Sequence, residues 1–168
     1  MNRLSWRVTP DGWLAYAIAA LVVALDQITK QIVLKVLDLP HRAPIHILPF
    51  FQLNMVWNPG VSFGLLRPDS PVGRWLLVVF ALAIVGGLAL WARGIERRIS
   101  ALSLGMIMGG AIGNNLIDRV RFGAVADFLD FNGLFFPWVF NVADSAITVG
   151  VVLLVLEGLM RPKGENAA

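Results

Sequence analysis

The sequence contains no cysteine, one tyrosine and two histidines, and only 15% of its 168 residues are charged. Without cysteine there are no disulfides, thiol nucleophiles or thiolate metal sites. His41 and His46 lie together in one loop, without metal-ligand spacing to other donors, so no metal or other cofactor is expected. The formal net charge is +3, and the basic residues are spread over several loops rather than gathered in a stripe. Nothing therefore points to nucleic acid, whereas contact with anionic membrane lipid suits the charge.

What the chain has in excess is apolar side chains, 57% of the total, against about 45–50% for soluble domains. Hydropathy predicts four membrane spans, at about 13–36, 75–92, 99–117 and 142–160. So much membrane-embedded chain predicts one integral membrane domain over residues 1–168. The basic start and apolar run "MNRLSWRVTPDGWLAYAIAALVVA" also fit a secretory signal, but the three later spans favour an uncleaved first span. Four spans put both termini on one side, with seven basic residues there and seven on the other. The densest basic cluster, "RGIERR" between spans two and three, favours a cytoplasmic turn and cytoplasmic termini.

Span one carries "DQITK", in which Asp26 and Lys30 are helical neighbours. They are either an interfacial pair with a snorkelling lysine or a brace for a polar site. After it, Phe51, Leu53, Met55 and Trp57 alternate with Gln52 and Asn54, as in a half-buried strand. "NPG" then reads as a turn and "VSFGLL" as a second arm, giving a surface β-hairpin within about 45–66. Asp69 or Ser70 would cap span two, with Pro71 near its first helical position. In span three, Gly105, Gly109 and Gly113 form a small-residue stripe for close helix packing. That stripe ends in the polar cluster Asn114, Asn115, Asp118 and Arg119. In the extended segment that follows, Asp127 and Asp130 differ by three residues and face opposite sides, so only one can point at the bundle.

Span four opens with Asn141 as a natural N-cap and Asp144 at the third helical position. A carboxylate in mid-membrane costs roughly 2.5–3.5 kcal/mol on insertion scales. Alone, Asp144 is either a capping acid or a chemical group. Asp127 lies on the same side of the membrane, because only the loop into span four separates the two. Two adjacent carboxyls share one proton, and then one serves as base for water while the other donates to a carbonyl. A Ser–Lys dyad of Ser62 or Ser145 with Lys30 is a weaker alternative, as is a proton-coupled transporter, which lacks the expected repeats. A non-catalytic assembly subunit would explain the glycine stripe but not two acids beside asparagines.

Taken in order, "DQITK", "NPGVSFG", "GGAIGNNLIDR", "VADFLD" and "FNVADSAI" closely resemble the motif series of the bacterial lipoprotein signal peptidases, the signal peptidase II family. The resemblance runs from the first span through the fourth. It implies an all-α membrane protein with four transmembrane helices and a small extracytoplasmic β-sheet cradle. It also implies residence in the bacterial inner membrane with both termini cytoplasmic. The activity implied is that of an aspartyl endopeptidase, free of cofactors, that cleaves prolipoproteins N-terminal to a diacylglyceryl-modified cysteine. Its partners would be those substrates and membrane lipid, and a monomer is expected. Carried over motif by motif, Asp127 and Asp144 are the catalytic pair. Asn58, Gly64, Asn115, Arg119 and Asn141 bind substrate, and Asp26 and Lys30 support the site. One departure is "VADF", where many relatives have two valines; the alanine thins a wall without changing a role.

Overall fold

The computed structural model describes residues 7–60, 71–134 and 136–160. Helix α1 (Pro10–Gln31) starts where Thr9 accepts the Gly12 N–H at 2.9 Å, with proline at the first helical position. It continues through a wide π-helical turn, Ile32–Val36. Helix α2 is Pro71–Ala92, and α3 (Arg98–Ala111) runs through a second π-helical stretch, Ile112–Asp118, into the short α4 (Arg119–Phe122). Gly123, at φ +82°, ends this run in a left-handed conformation that glycine adopts without steric cost. The last helix, α5, is Val142–Met160.

Four segments are long and apolar enough to cross a membrane: Pro10–Val36, Val72–Ala92, Arg98–Phe122 and Val142–Met160. They match the four expected spans with shifted ends. The third differs most, continuing past 117 to Phe122. Its polar residues are satisfied inside the bundle and do not end the helix.

Four antiparallel strands form one sheet in the order β1-β2-β3-β4: Ile45–Leu48, Phe51–Asn58, Val125–Asp130 and Val139–Phe140. The hairpin expected within 45–66 has β1 and β2 as its arms, with the turn at Pro49 and Phe50. "FQLNMVW" forms the expected strand, and its partners among the described residues are β1 and β3. The expected second arm "VSFGLL", with Ser62 and Gly64, and the cap candidates Asp69 and Ser70 lie outside the described residues. Pairing of β2 with β3 sets Val56 opposite Asp127 and Asn58 opposite Val125, which brings the sheet over the polar end of α3.

The glycines of α3 determine how close the helices come. A Cβ on Gly105 would stand 2.6 Å from the Ala15 carbonyl oxygen, and one on Gly109 would stand 2.7 Å from that of Ala19. On the next face, a Cβ on Gly110 would meet the Ala143 carbonyl oxygen at 2.4 Å, and one on Gly150 of α5 would meet that of Ser103 at 2.8 Å. Backbone therefore touches backbone on both sides of α3, the contact that small residues permit in lipid. Helix α2 packs more loosely, and a Cβ at Gly86 or Gly87 would meet nothing within 4 Å. Gly109→Val should accordingly lower the thermal midpoint of the detergent-solubilised protein, by the equivalent of about 1–3 kcal/mol of overpacking. Gly87→Ala should leave the midpoint level or higher. Equal losses in the two variants would contradict this packing scheme.

Candidate active site

Beneath the sheet lies a buried ion cluster. The Lys30 ammonium contacts Asp26 Oδ2 at 2.9 Å, Asp118 Oδ2 at 2.6 Å and Asn114 Oδ1 at 2.7 Å, which uses all three of its donors. Lys30 is 1% exposed, and Asp26 and Asp118 are fully buried. Gln27 bridges the two acids, donating to Asp26 Oδ2 at 3.1 Å and to Asp118 Oδ1 at 3.0 Å. Each acid also fixes a backbone. Asp26 Oδ1 accepts the Ala143 N–H at the head of α5 at 3.1 Å, and Asp118 Oδ2 accepts the Ala126 N–H in β3 at 3.1 Å. Of the two readings of the "DQITK" pair, the brace is the one found. The side chains are buried and do not snorkel.

Those two anchored backbones immediately precede Asp144 and Asp127. Asn141 and Asp144 cap α5 reciprocally: the Asp144 N–H donates to Asn141 Oδ1 at 3.0 Å, and the Asn141 N–H donates to Asp144 Oδ2 at 3.1 Å. The other oxygen of Asp144 accepts Asn114 Nδ2 at 2.7 Å. Asp127 Oδ1 accepts Asn141 Nδ2 at 2.7 Å, and its Oδ2 accepts Asn58 Nδ2 at 3.1 Å. The charge of Asp144 acts on the Asp127 carboxyl. Asn141 thus touches both carboxyls, that of Asp144 through its backbone N–H and that of Asp127 through its side-chain amide.

Asp127 is 2% exposed. Burial, and next the charge of Asp144, raise its pKa to about 6, against hydrogen bonds from Asn58 and Asn141 and the attraction of Lys30. Asp130, three residues on, turns the other way. Burial works to raise its pKa, but hydrogen bonds from Gln52, the Asn132 N–H and Asn54 outweigh it and hold the carboxyl below its ordinary range. The parity expectation for these two acids is met.

Arg119 and Asn115 form the rim. Arg119 Nε donates to Asn115 Oδ1 at 3.0 Å, and Nη1 donates to the Pro59 carbonyl at 2.8 Å. The guanidinium is within electrostatic reach of Asp127 and Asp118. The "NPG" turn is closed by the Gly60 N–H on Asn58 Oδ1 at 3.0 Å, and Gly60 has φ +114°. A side chain there would be strained, and its Cβ would sit 3.1 Å from Arg119 Nη1. Of the residues expected at the site, Asp26, Lys30, Asn58, Asn115, Arg119, Asp127, Asn141 and Asp144 form one connected cluster; Gly64 is outside the described residues. Asn58 and Asn141 both bond Asp127 directly. Sequence reasoning gave no site role to Gln27, Asn114, Asp118 or Gly60. The proximity of Gln27 to Asp26 and the polar run "NNLID" were the available signals.

Because the folded-state pKa of Asp127 lies above the ordinary 3.8, its ionisation costs stability. Its favourable contribution is complete below pH 3.8 and is lost as pH rises through about 6. Asp127→Asn should therefore unfold at a higher temperature than the parent above about pH 7, with the gap closing below about pH 4. Thermal unfolding in detergent across that range measures it. A variant that becomes relatively less stable as pH rises would show that the charged carboxylate is favoured.

Residues 18–160 match the family described as Signal peptidase (SPase) II. The chain is 53% identical over 156 residues to a lipoprotein signal peptidase of Caulobacter vibrioides, covering 93% of this chain and 92% of that one. It is 44% identical over 156 residues to one from Methylobacterium sp., covering 92% and 94%. Its fold is similar to that of a bacterial membrane enzyme solved in meso at 2.3 Å, with TM-score 0.75, 26% identity and 92% of each chain covered. A second such enzyme, solved at 1.9 Å, has TM-score 0.74, 29% identity and coverage of 88% of this chain and 94% of that one. With the family match running over residues 18–160 and these relatives covering nearly the whole chain, the protein belongs to the signal peptidase II family, the lipoprotein signal peptidases.

Proposed function

We propose that the protein is an aspartyl endopeptidase that removes the signal peptide from prolipoproteins, cutting on the N-terminal side of a diacylglyceryl-modified cysteine. The observation that carries this reading is the Asp127–Asp144 pair, bridged by Asn141. Among the described residues no group of three His, Cys, Asp or Glu could hold a metal. The protein works as a single-domain monomer in the bacterial inner membrane. Both termini are cytoplasmic and the dyad lies near the extracytoplasmic face. The cluster Arg93, Arg97 and Arg98 between α2 and α3 supports that orientation.

In the proposed reaction Asp144 is ionised, beside the peptide dipoles at the start of α5, and Asp127 holds the shared proton. Asp144 takes a proton from water as the water oxygen bonds to the scissile carbonyl carbon. Asp127 gives its proton to the carbonyl oxygen, forming a neutral tetrahedral diol. On collapse the C–N bond breaks, the cysteine nitrogen receives the proton from Asp144, and a diol proton returns to Asp127. Asn115 and Arg119 at the rim hold the peptide backbone or the glyceryl ester. Gly64 of "NPGVSFG" is a further substrate contact by its motif.

Asp127→Asn and Asp144→Asn should each remove cleavage of a lipidated prolipoprotein, by about a thousand-fold or more, since the amide supplies neither base nor shared proton. Asp130→Asn, at the far side of β3, should keep most activity. The readout is the initial rate of signal-peptide release by purified protein. Turnover near the parent rate in either dyad variant would contradict the mechanism.

A further inference from the structure

The end of the bundle opposite the dyad carries a second buried acid. Glu157 is 6% exposed and is the one acid in α5 after Asp144. A carboxylate inside a membrane helix is costly and calls for partners or a function. Its Oε2 accepts the Ser100 hydroxyl of α3 at 2.5 Å, and its Oε1 lies 3.9 Å from Arg97 Nη1. This link ties together the far ends of α3 and α5, whose other ends carry Asn114 and Asp144. From Arg98 to Asn114 the distance is roughly 24 Å at ~1.5 Å per residue. Nothing in the proposed reaction uses the link.

Beside it opens a cavity of about 330 Å³, lined by Arg97, Arg98, Ile99, Glu157 and Met160. The spans fix its depth. Arg98 is the first residue of one membrane-crossing segment and Met160 the last of another, so the cavity lies where hydrocarbon gives way to headgroups. Its chemistry divides in the same way. Ile99 and Met160 are exposed and apolar, and two guanidiniums stand beside them. Against the one carboxylate, those two cations leave the lining with a net charge of +1. Guanidinium forks match the oxygens of a phosphate, two at a time.

We infer that this cavity binds the phosphodiester headgroup of an anionic bilayer phospholipid, at a site separate from the substrate's. Arg97 and Arg98 hold the phosphate, Glu157 holds the Arg97 guanidinium in place, and Ile99 and Met160 meet the start of the acyl chains. Basic pockets between membrane helices take such headgroups. A singly charged phosphodiester balances the lining. Glu157 is buried and already engaged by Ser100 and Arg97, so it offers little to the ammonium of a zwitterionic headgroup. On the proposed orientation the site faces the cytoplasmic leaflet. A lipid held there bridges α3 and α5 and stabilises the pair of helices that supports the dyad.

The test titrates the full chain in maltoside micelles with dioleoyl phosphatidylglycerol, dioleoyl phosphatidylcholine or inorganic phosphate, and reads the thermal midpoint. Phosphatidylglycerol should raise the midpoint to a plateau, and the other two should leave it level. Arg97→Gln combined with Arg98→Gln should raise the half-saturating lipid concentration about ten-fold or more. Arg42→Gln combined with Arg121→Gln removes the same charge at the dyad end and should leave the lipid response unchanged. Phosphatidylglycerol with a photoreactive group beside its glycerol should label Ile99 or Met160, and unlabelled phosphatidylglycerol but not phosphatidylcholine should compete. This labelling decides the matter even where the paired arginine variant does not fold. Equal responses to the two lipids, or equal losses in the two double variants, would overturn the assignment, because the contact would then be unspecific. A response to inorganic phosphate as large as that to lipid would also overturn it, since the site would then take a soluble anion. No substrate is present in any arm, so failure here is distinguishable from failure of the peptidase reading.

Discussion

The structure depends on the Lys30 ammonium held between Asp26 and Asp118. An ammonium in hydrocarbon is tolerated only when its charge and all its donors are matched, and here two carboxylates and one amide oxygen match them. Removing one partner from such a cluster costs about 3–5 kcal/mol, because the others are left buried and uncompensated. The cluster therefore fixes α1 against the polar end of α3. It also holds the first turn of α5 through the other oxygen of Asp26, and the start of β3 through the same Asp118 oxygen that meets Lys30.

On the proposed mechanism, that arrangement separates charge balance from chemistry. The ion cluster takes full charges out of water, while the dyad is held by neutral amides of Asn58, Asn114 and Asn141. Amide donors orient a carboxyl without fixing its protonation as a lysine contact would. Asp127 can therefore keep a proton well above the ordinary carboxylate range, raised first by burial and then by its partner. Lys30 acts on the dyad at one remove, through Asn114. The glycine packing of α3 serves the same end, because a Cβ on Gly113 would stand 2.6 Å from Asp26 Oδ2 and displace the cluster.

Features that repeat along the chain were legible in the sequence, and features made by meetings across it were less so. The spans follow from hydropathy, the α1–α3 contact from the glycine stripe, and the α5 cap from asparagine and aspartate at N-cap spacing. The Lys30–Asp26 pair is a one-turn contact and could be read as such. The second partner, Asp118, could not, because it belongs to another helix and sits in sequence beside Arg119. The π-helical stretch Ile112–Asp118 has no compositional mark, yet Asn114, Asn115 and Asp118 all belong to it. Strand parity distinguished Asp127 from Asp130, whereas β1 is short and mostly exposed and carries too little alternation to stand out. Asn58 and Asn141 read as substrate contacts; their bonds to Asp127 emerge only when β2, β3 and α5 converge.

The central claim is that two aspartates within a membrane helix bundle share one proton, with Asp127 retaining it to about pH 6. Infrared titration of the protein in bilayers, taken as the difference between the parent and Asp127→Asn, observes that proton directly. The account predicts a protonated-carboxyl C=O band in the parent that persists to about pH 6, shifts on deuteration and is missing in the variant. A spectrum with only ionised carboxylate at pH 5, the same in parent and variant, would contradict it.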